Sequence, residues 1–256
     1  MSFGAIADDY DRLRPAPPAA AVDWLLPERC EVAVDLAAGT GLLSRALARR
    51  VARVVAVEPD GRMAAVLRAR SGGAGGIRPG RIHVVLGRGE TIPMPDASAD
   101  GVFVSSAWHW MDSERATREV ARVLRDGGRF GLIWTGRDRR EPWVAEFDSL
   151  VRPRGPDAEG DAGRRFRPSE VVPPSSAPLE NVSTASFAFR RPMTIGDVVA
   201  MLATYSGVIT ASPEDRAAGL ARARAALEQR FPGADTIDVP MGARCWRADR
   251  ARRAAP

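Results

Sequence analysis

The chain is poor in residues that would staple it or hold a metal. Two cysteines, Cys30 and Cys245, stand far apart, and His83 and His109 are the only histidines in 256 residues. That excludes a disulfide scaffold, and no metal is expected from cysteine and histidine at these spacings. Long apolar runs are also missing, and none approaches the ~20 residues a membrane helix needs. The opening MSFGAIADDYDRLR lacks the basic-then-apolar pattern of a secretory leader. A reducing, cytoplasmic setting with no membrane attachment is the expectation. No internal repeat is evident. The formal net charge is +5 and the isoelectric point about 10.3, yet no compact basic patch interleaves with stacking aromatics. The basic excess is carried by arginines spread along the chain, densest at Arg244–Arg253. This reads as a coding preference for arginine, and no nucleic-acid partner is expected.

What the chain has is a well-formed turn. Val32–Gly41 reads VAVDLAAGTG, an apolar run that breaks into small residues and two glycines. Leu42–Arg50 follows with apolar residues at helical spacing, so the stretch predicts a buried strand, a tight turn and a helix mouth. Gly39 and Gly41 allow unusual dihedrals and close approach of a ligand, and the helix start offers N–H groups to an anion.

The pattern then alternates. Arg53–Glu58 predicts a second strand ending in an acid, with Asp60 capping a helix over Arg62–Arg70. Ser71–Gly80 predicts a flexible loop, Ile82–Gly87 a third strand and Asp100–Ala107 a fourth. Ser113 is expected to cap a helix through Leu124, stopped by Asp126-Gly127-Gly128 before a fifth strand at Arg129–Trp134. Strands separated by helical patterns, themselves near-continuous apolar runs, argue for a parallel sheet buried on both faces. Upstream, residues 3–27 predict a mobile arm, broken by Pro15, Pro17 and Pro18, and then a packed helix. Downstream, Arg152–Pro178 reads as loop or lid. Strands are expected at Val182–Arg190 and Ile237–Arg247, with helices at Trp143–Val151, from Thr194 to Tyr205 and over Pro213–Phe231.

Four pieces fall at the carboxyl ends of successive strands, where open α/β sheets bind ligands. They are the Gly39–Gly41 turn, Glu58 seventeen residues on (58 minus 41), Gly87–Glu90, and Ser105–Trp110. A carboxylate at Glu58 can accept hydrogen bonds from vicinal hydroxyls of a ribose. With Asp35-Leu36-Ala37-Ala38-Gly39-Thr40-Gly41, Glu58-Pro59, Gly87-x-Gly89-Glu90 before Ile92-Pro93-Met94-Pro95-Asp96, and Leu124-x-x-Gly-Gly-x-Phe130, residues 3–136 resemble the class I S-adenosylmethionine-dependent methyltransferases. Within them the chain is most similar to the methyltransferase type 11 group, including trans-aconitate-methyltransferase-like small-molecule enzymes. The arm FGAIADDYDRLRP and the pair His109-Trp110 belong to that likeness.

The resemblance implies an α/β fold with a doubly wound, mostly parallel seven-stranded sheet and an antiparallel last strand. It implies an arm and helix at 1–30, a cofactor-binding core at 31–137, and an elaboration at 138–256 carrying a lid and the last two strands. It further implies S-adenosylmethionine as cofactor. Asp35 would orient the turn and, through water or the backbone, the cofactor's amino group; Ala37, Gly39 and Gly41 would flank its methionine portion, and Glu58 would hold the ribose. Pro59 or Asp60 would border the adenine, with Gly89 and Glu90 at its edge and Ser106 and Ala107 under the methionine end. Tyr10 and Arg14 would close the arm, Arg14 toward the cofactor's carboxylate. Arg88 departs from the pattern, since many relatives place there an acid that bonds the adenine amino group, and arginine accepts no hydrogen bond.

A sulfonium methyl is already activated, so transfer needs an acceptor lone pair held in line. The expected function is methyl transfer to a small molecule through oxygen, nitrogen or carboxylate. For a phenol, acid or amine, His109 is the candidate base, with a packed wall as its bland reading. For a carboxylate, Arg137, Arg139 and Arg140 are candidate counter-charges, although a solvated loop is the expected setting for these three. Trp108, Trp110, Trp134 and Trp143 are read as either pocket wall or core. The alternatives are a nicotinamide oxidoreductase, disfavoured because Ser44 stands at the third-glycine position, a nucleic-acid methyltransferase, and a cofactor-binding protein without catalysis. The oligomeric state, monomer or homodimer, is left open.

Overall fold

A computed structural model describes residues 3–72, 80–150, 173–174 and 177–252. In chain order the elements are α1 (Ala7–Leu13), α2 (Ala19–Leu25), β1 (Val32–Leu36), α3 (Leu42–Leu47), β2 (Arg53–Glu58) and α4 (Gly61–Arg70). There follow β3 (Ile82–Leu86), β4 (Ala99–Ser105), α5 (Ser113–Val123), β5 (Leu124–Arg137), α6 (Pro142–Leu150) and β6 (Leu179–Thr194). The chain closes with α7 (Ile195–Leu202), α8 (Ser206–Ile209), α9 (Pro213–Arg230) and β7 (Thr236–Arg250). The strands form one seven-stranded sheet of order β3-β2-β1-β4-β5-β7-β6. Its β3, β2, β1, β4 and β5 pairs are parallel, and the sheet ends antiparallel.

Two compact units divide the described residues. The first lies within Pro15–Thr135, Arg167–Phe187 and Ala243–Pro256, the second within Met1–Arg14, Gly136–Phe166 and Ala188–Gly242. In the first unit, the pleat sends alternate residues of each strand to two cores. Val34 and Leu36 of β1 join Phe130, Leu132 and the α5 residues Ala116, Val120 and Val123. Ala33 joins Phe103 of β4 and the inner faces of α2 and α3. Burial on both faces is why these strands read as unbroken apolar runs. The second unit has its own core, in which Val198, Met201 and Leu202 of α7 meet Leu227 of α9 and Val239 and Met241 of β7.

Several expectations shift by a few residues, each for a local reason. The α5 cap is Asp112, whose carboxylate accepts the Arg115 N–H at 3.0 Å, and not Ser113. The helix gives way to β5 directly after Val123. Asp126-Gly127-Gly128 therefore forms an irregularity inside β5, where the pairing steps from Ala99–Leu124 to Gly101–Arg129. Gly127 there takes φ +76°, which glycine permits. α3 stops at Leu47 rather than Arg50. β3 is an edge strand with Leu86 and His83 exposed, so it is not the doubly buried strand the pattern suggested. The polar arm is itself helical over Ala7–Leu13, with Asp8 and Asp9 in the first turn, where the helix dipole favours acids. Thr194 and Asp60 cap as expected, accepting from Asp197 N–H and Arg62 N–H. The loop at Ser71–Gly80 and the segment Arg152–Pro178 lie largely outside the described residues.

Arginines tie the first unit together through backbone carbonyls. Arg81 donates to the carbonyls of Ala48 and Val51 at 3.1 and 3.0 Å. Arg247 reaches Trp24 O, and Arg250 reaches Leu124 O.

Candidate active site

Parallel pairing of β3, β2, β1 and β4 carries their carboxyl ends to one edge of the first unit. At the end of β1 the chain turns sharply. Ala38 N–H donates to Val57 O at 3.1 Å, and Gly41 N–H returns to Ala38 O at 2.9 Å. Ala37, Gly39 and Gly41 all have positive φ, +54°, +58° and +86°. The two glycines do different work. A Cβ at Gly41 would sit 2.7 Å from Leu67 Cγ, so α4 packs into the space its hydrogen leaves. A Cβ at Gly39 would meet nothing within 4 Å, so that face of the turn is open.

Glu58, at the tip of β2, is 5% exposed and closes the turn from below. Its Oε2 accepts Gly39 N–H and its Oε1 accepts Asp60 N–H, both at 2.8 Å. Burial raises its pKa, opposed by those two N–H groups. Each carboxylate oxygen keeps a second lone pair for a further donor. Pro59 beside it is exposed.

Asp35 is fully buried. Its Oδ2 accepts the Ser44 hydroxyl at 2.5 Å, while Oδ1 and the nearby Thr40 Oγ1 have no hydrogen-bond partner among the described residues. Burial pushes the carboxyl up to about 7, against the downward pull of Ser44. Ser44 thus explains the missing third glycine, because that position needs a hydroxyl. Sequence reading noted the substitution and missed its role.

After β3, the Glu90 carboxylate accepts Asp112 N–H at 3.0 Å, joining the β3 loop to the start of α5. Gly89 is buried against Met111, whose sulfur a Cβ would meet at 2.5 Å. Arg88 is exposed and its backbone bridges to Thr91. The Ile92–Asp96 stretch is held by a residue that sequence reading missed. Arg122 of α5 donates to the carbonyls of Ile92 and Met94 at 2.9 and 2.8 Å, and pairs with Asp96 and Glu119 at 2.7 Å. The Glu119–Arg122 spacing on one helix face was the available signal.

After β4, Ser106 takes φ +54° and donates its N–H to Ile133 O at 2.8 Å. Ala37 and Ser106, two non-glycine residues in left-handed conformation, end adjacent strands. Such strain concentrates at functional sites. Trp108–Trp110 form a short 3-10 turn. Trp108 is a core residue, 1% exposed and edge-on to Phe130 at 5.2 Å, and Trp134 is buried in the same core. Trp110 is 63% exposed, with its ring 4.9 Å from that of His109. His109 is exposed, yet partial desolvation lowers its pKa.

The edge therefore brings together Asp35, Ala37, Gly39, Gly41, Glu58 and Pro59 with Gly89, Glu90, Ser106, Ala107 and His109. Tyr10 and Arg14 belong to the second unit. There Arg14 donates to Thr204 Oγ1 and O at 2.9 and 3.0 Å and stacks on Tyr205 at 3.6 Å. Trp143 packs on Phe147 and Phe231 in that unit. Arg137 is not the solvated loop residue expected from sequence: its side chain is 6% exposed and pairs with Asp148 at 2.5 Å. Arg139, 56% exposed in the turn that follows, reaches the same carboxylate at 2.5 Å. Arg140 pairs with Asp138 at 2.7 Å. Among the described residues no cluster of three or more histidine, cysteine, aspartate or glutamate side chains is placed to hold a metal. Burial pushes both thiols up to about 12.

A seven-stranded sheet of this order, with a glycine turn and an acid at the next strand tip, defines a nucleoside-cofactor site of the methyltransferase kind. The methyltransferase domain family matches residues 34–132. An uncharacterised methyltransferase of Mycobacterium tuberculosis is 38% identical over 227 residues, covering 89% of this chain and 86% of its own. Among solved structures, one assigned provisionally as a type II methyltransferase from Anaeromyxobacter dehalogenans superposes with a TM-score of 0.65 at 23% identity, covering 93% of this chain and 97% of its own. The [4+2]-cyclase SpnF shares the fold at a TM-score of 0.52 and 18% identity, over 92% and 81%. The chain belongs to the class I S-adenosylmethionine-dependent methyltransferases, and S-adenosylmethionine is its cofactor. The residues present fit it. The spare lone pairs of Glu58 suit a diol, the open face at Gly39 leaves room for the methionine portion, and the buried Asp35 carboxylate supports the turn from within.

Proposed function

We propose that the enzyme methylates a small-molecule acceptor at oxygen or nitrogen, carboxylate oxygen included. The observation carrying this is the pairing, at one sheet edge, of an open glycine turn braced by Glu58 and a histidine on the loop after β4. When bound, the cofactor supplies an activated methyl group, so the protein has to bind, orient and dry the reactants. In this reading Glu58 holds the ribose hydroxyls, Asp35 and the Ala37–Gly41 turn hold the amino-acid portion, and Gly89 and Glu90 border the adenine with Pro59. Ser106 and Ala107 lie beneath the methionine end. His109 Nδ1 or Nε2 takes the acceptor's proton as the lone pair is committed. A fold shared with a cyclase does not by itself dictate methyl transfer, so the pocket residues carry the reading.

The test pairs two variants. Glu58→Ala should weaken S-adenosylhomocysteine binding by about 1–3 kcal/mol in calorimetry, the cost of losing charge-assisted hydrogen bonds. His109→Gln should leave that affinity alone and lower the turnover of ionisable acceptors by about 10²–10⁴-fold. An unchanged dissociation constant for the first variant rejects the ribose role, and unchanged turnover for the second rejects the base.

A further inference from the structure

The border role given to Gly89 and Glu90 leaves one oxygen of the Glu90 carboxylate unaccounted for. Oε1 accepts the Asp112 N–H at 3.0 Å, from 22 residues along the chain. Asp112 lies just beyond the turn Trp108–Trp110 that carries His109, and its own carboxylate caps α5 by accepting the Arg115 N–H at 3.0 Å. The upstream end of that turn is fixed independently. Ser106 N–H donates to Ile133 O at 2.8 Å, and Trp108 is 1% exposed in the core. His109 and Trp110 are thus the exposed residues of a turn tethered on both sides, with Glu90 as the downstream tether.

Glu90 is itself well held. Thr91 N–H donates to Arg88 O at 3.2 Å, closing a tight turn around Gly89 and Glu90. Before this turn, Gly87 N–H donates at 3.3 Å to the backbone carbonyl of Glu58, the proposed ribose ligand. After it, Ile92 N–H donates to Glu119 Oε2 on α5 at 2.7 Å. Gly89 adds a packed contact. It is buried, and a Cβ there would lie 2.5 Å from the sulfur of Met111, the residue between Trp110 and Asp112. Gly89 is not among the glycines with positive φ, so space against Met111, rather than backbone conformation, calls for glycine here.

A carboxylate accepting a backbone N–H makes a charge-assisted bond, stronger than the neutral kind. A base has to lie within hydrogen-bond reach of the proton it takes, and a misplacement of about 1 Å can cost on the order of a hundredfold in rate. We propose that Glu90 is a positioning residue of the active site: its carboxylate sets the His109 turn against the loop that borders the cofactor, with Gly89 and Met111 as the packed contact between them. That His109 takes the acceptor's proton rests on the function proposed above, whereas the tie between Glu90 and the turn does not.

The test follows the histidine ring signals and backbone amides of the isotope-labelled full chain by NMR. The chain has only two histidines, so His83 on β3 is an internal control. Glu90→Ala should displace or broaden the His109 signal and leave that of His83 in place. It should also speed hydrogen exchange at the Asp112 amide by about tenfold, the factor for one net hydrogen bond. Glu90→Gln, whose side-chain oxygen still accepts, should restore both. Gly89→Ala should displace the His109 signal in the wild-type background and not in Met111→Ala, where the sulfur it would strike is gone. Should Glu90→Ala not fold, this second pair decides alone. The proposal is overturned by a His109 signal that ignores both Glu90→Ala and Gly89→Ala, by Glu90→Gln behaving as Glu90→Ala, or by an equal displacement of His83. A His109 signal that follows Glu90, together with unchanged turnover in His109→Gln, upholds Glu90 as the residue that places the turn and rejects His109 as the base.

Discussion

Asp35 shows what one buried carboxyl does to the pH response. Its pKa of about 7 in the folded chain lies above the ~3.9 of an exposed aspartate. The folded state therefore binds the proton more tightly than the unfolded state, and this group's contribution makes stability fall as pH rises from about 4 to about 7. Glu58 acts in the same direction. Asp35→Asn should give a shallower decline of the unfolding midpoint over that range in scanning calorimetry. If Asp35 faces the cofactor's ammonium, wild-type affinity for S-adenosylhomocysteine should rise from pH 6 to 8 and the variant's should stay flat. The glycines make a second contrast. Gly39→Ala carries only left-handed strain, about 1–2 kcal/mol, but puts a methyl on the open ligand face. Gly41→Ala adds a clash with Leu67, for about 2–4 kcal/mol in all. Urea midpoints and cofactor affinity should thus rank the two variants in opposite order, and equal loss of stability would contradict the packing described. Asp35, Gly39, Gly41 and Glu58 were legible in the sequence because strand and turn chemistry fix their positions locally. Ser44 was read only as an exclusion, since its partner Asp35 lies nine residues away and only the fold orients the two side chains.

At the scale of elements, the α5 helix organises the β3 loop through Arg122. That side chain is 31% exposed, yet it bonds two carbonyls and two carboxylates. Arg122→Met should destabilise by about 2 kcal/mol and weaken cofactor binding as the Ile92–Asp96 stretch loses its anchor. Intact affinity in a destabilised variant would confine Arg122 to a structural role. Helices and parallel strands were readable because hydrophobic period is a local property. The Asp126–Gly128 irregularity was not. A glycine pair after a helix has two outcomes, a helix stop or a break in strand pairing, and only the partner strand β4 decides between them. Arg137 was misplaced for a related reason: a charged residue after an apolar run reads as loop until its buried partner Asp148 is known.

For the whole molecule, the high isoelectric point comes from arginine alone. The sequence contains no lysine, and among the described residues many arginines are engaged within the fold, on carboxylates such as Asp96 and Asp148 and on carbonyls such as those of Ala48, Val51, Ile92 and Met94. With arginines so engaged, duplex DNA should not retain the protein at about 150 mM salt. Retention with a steep salt dependence would reverse that expectation. The composition showed an arginine excess and could not show where the guanidinium planes point. Arginine's rigid fork spans two acceptors at once, and lysine's point charge on a flexible stem does not. A chemist wishing to install side-chain amines for conjugation therefore has a clean slate but not a free choice. Exposed Arg115 on α5 is a tolerant place to begin, while lysine at Arg81 or Arg122 would unfasten two carbonyls at each position.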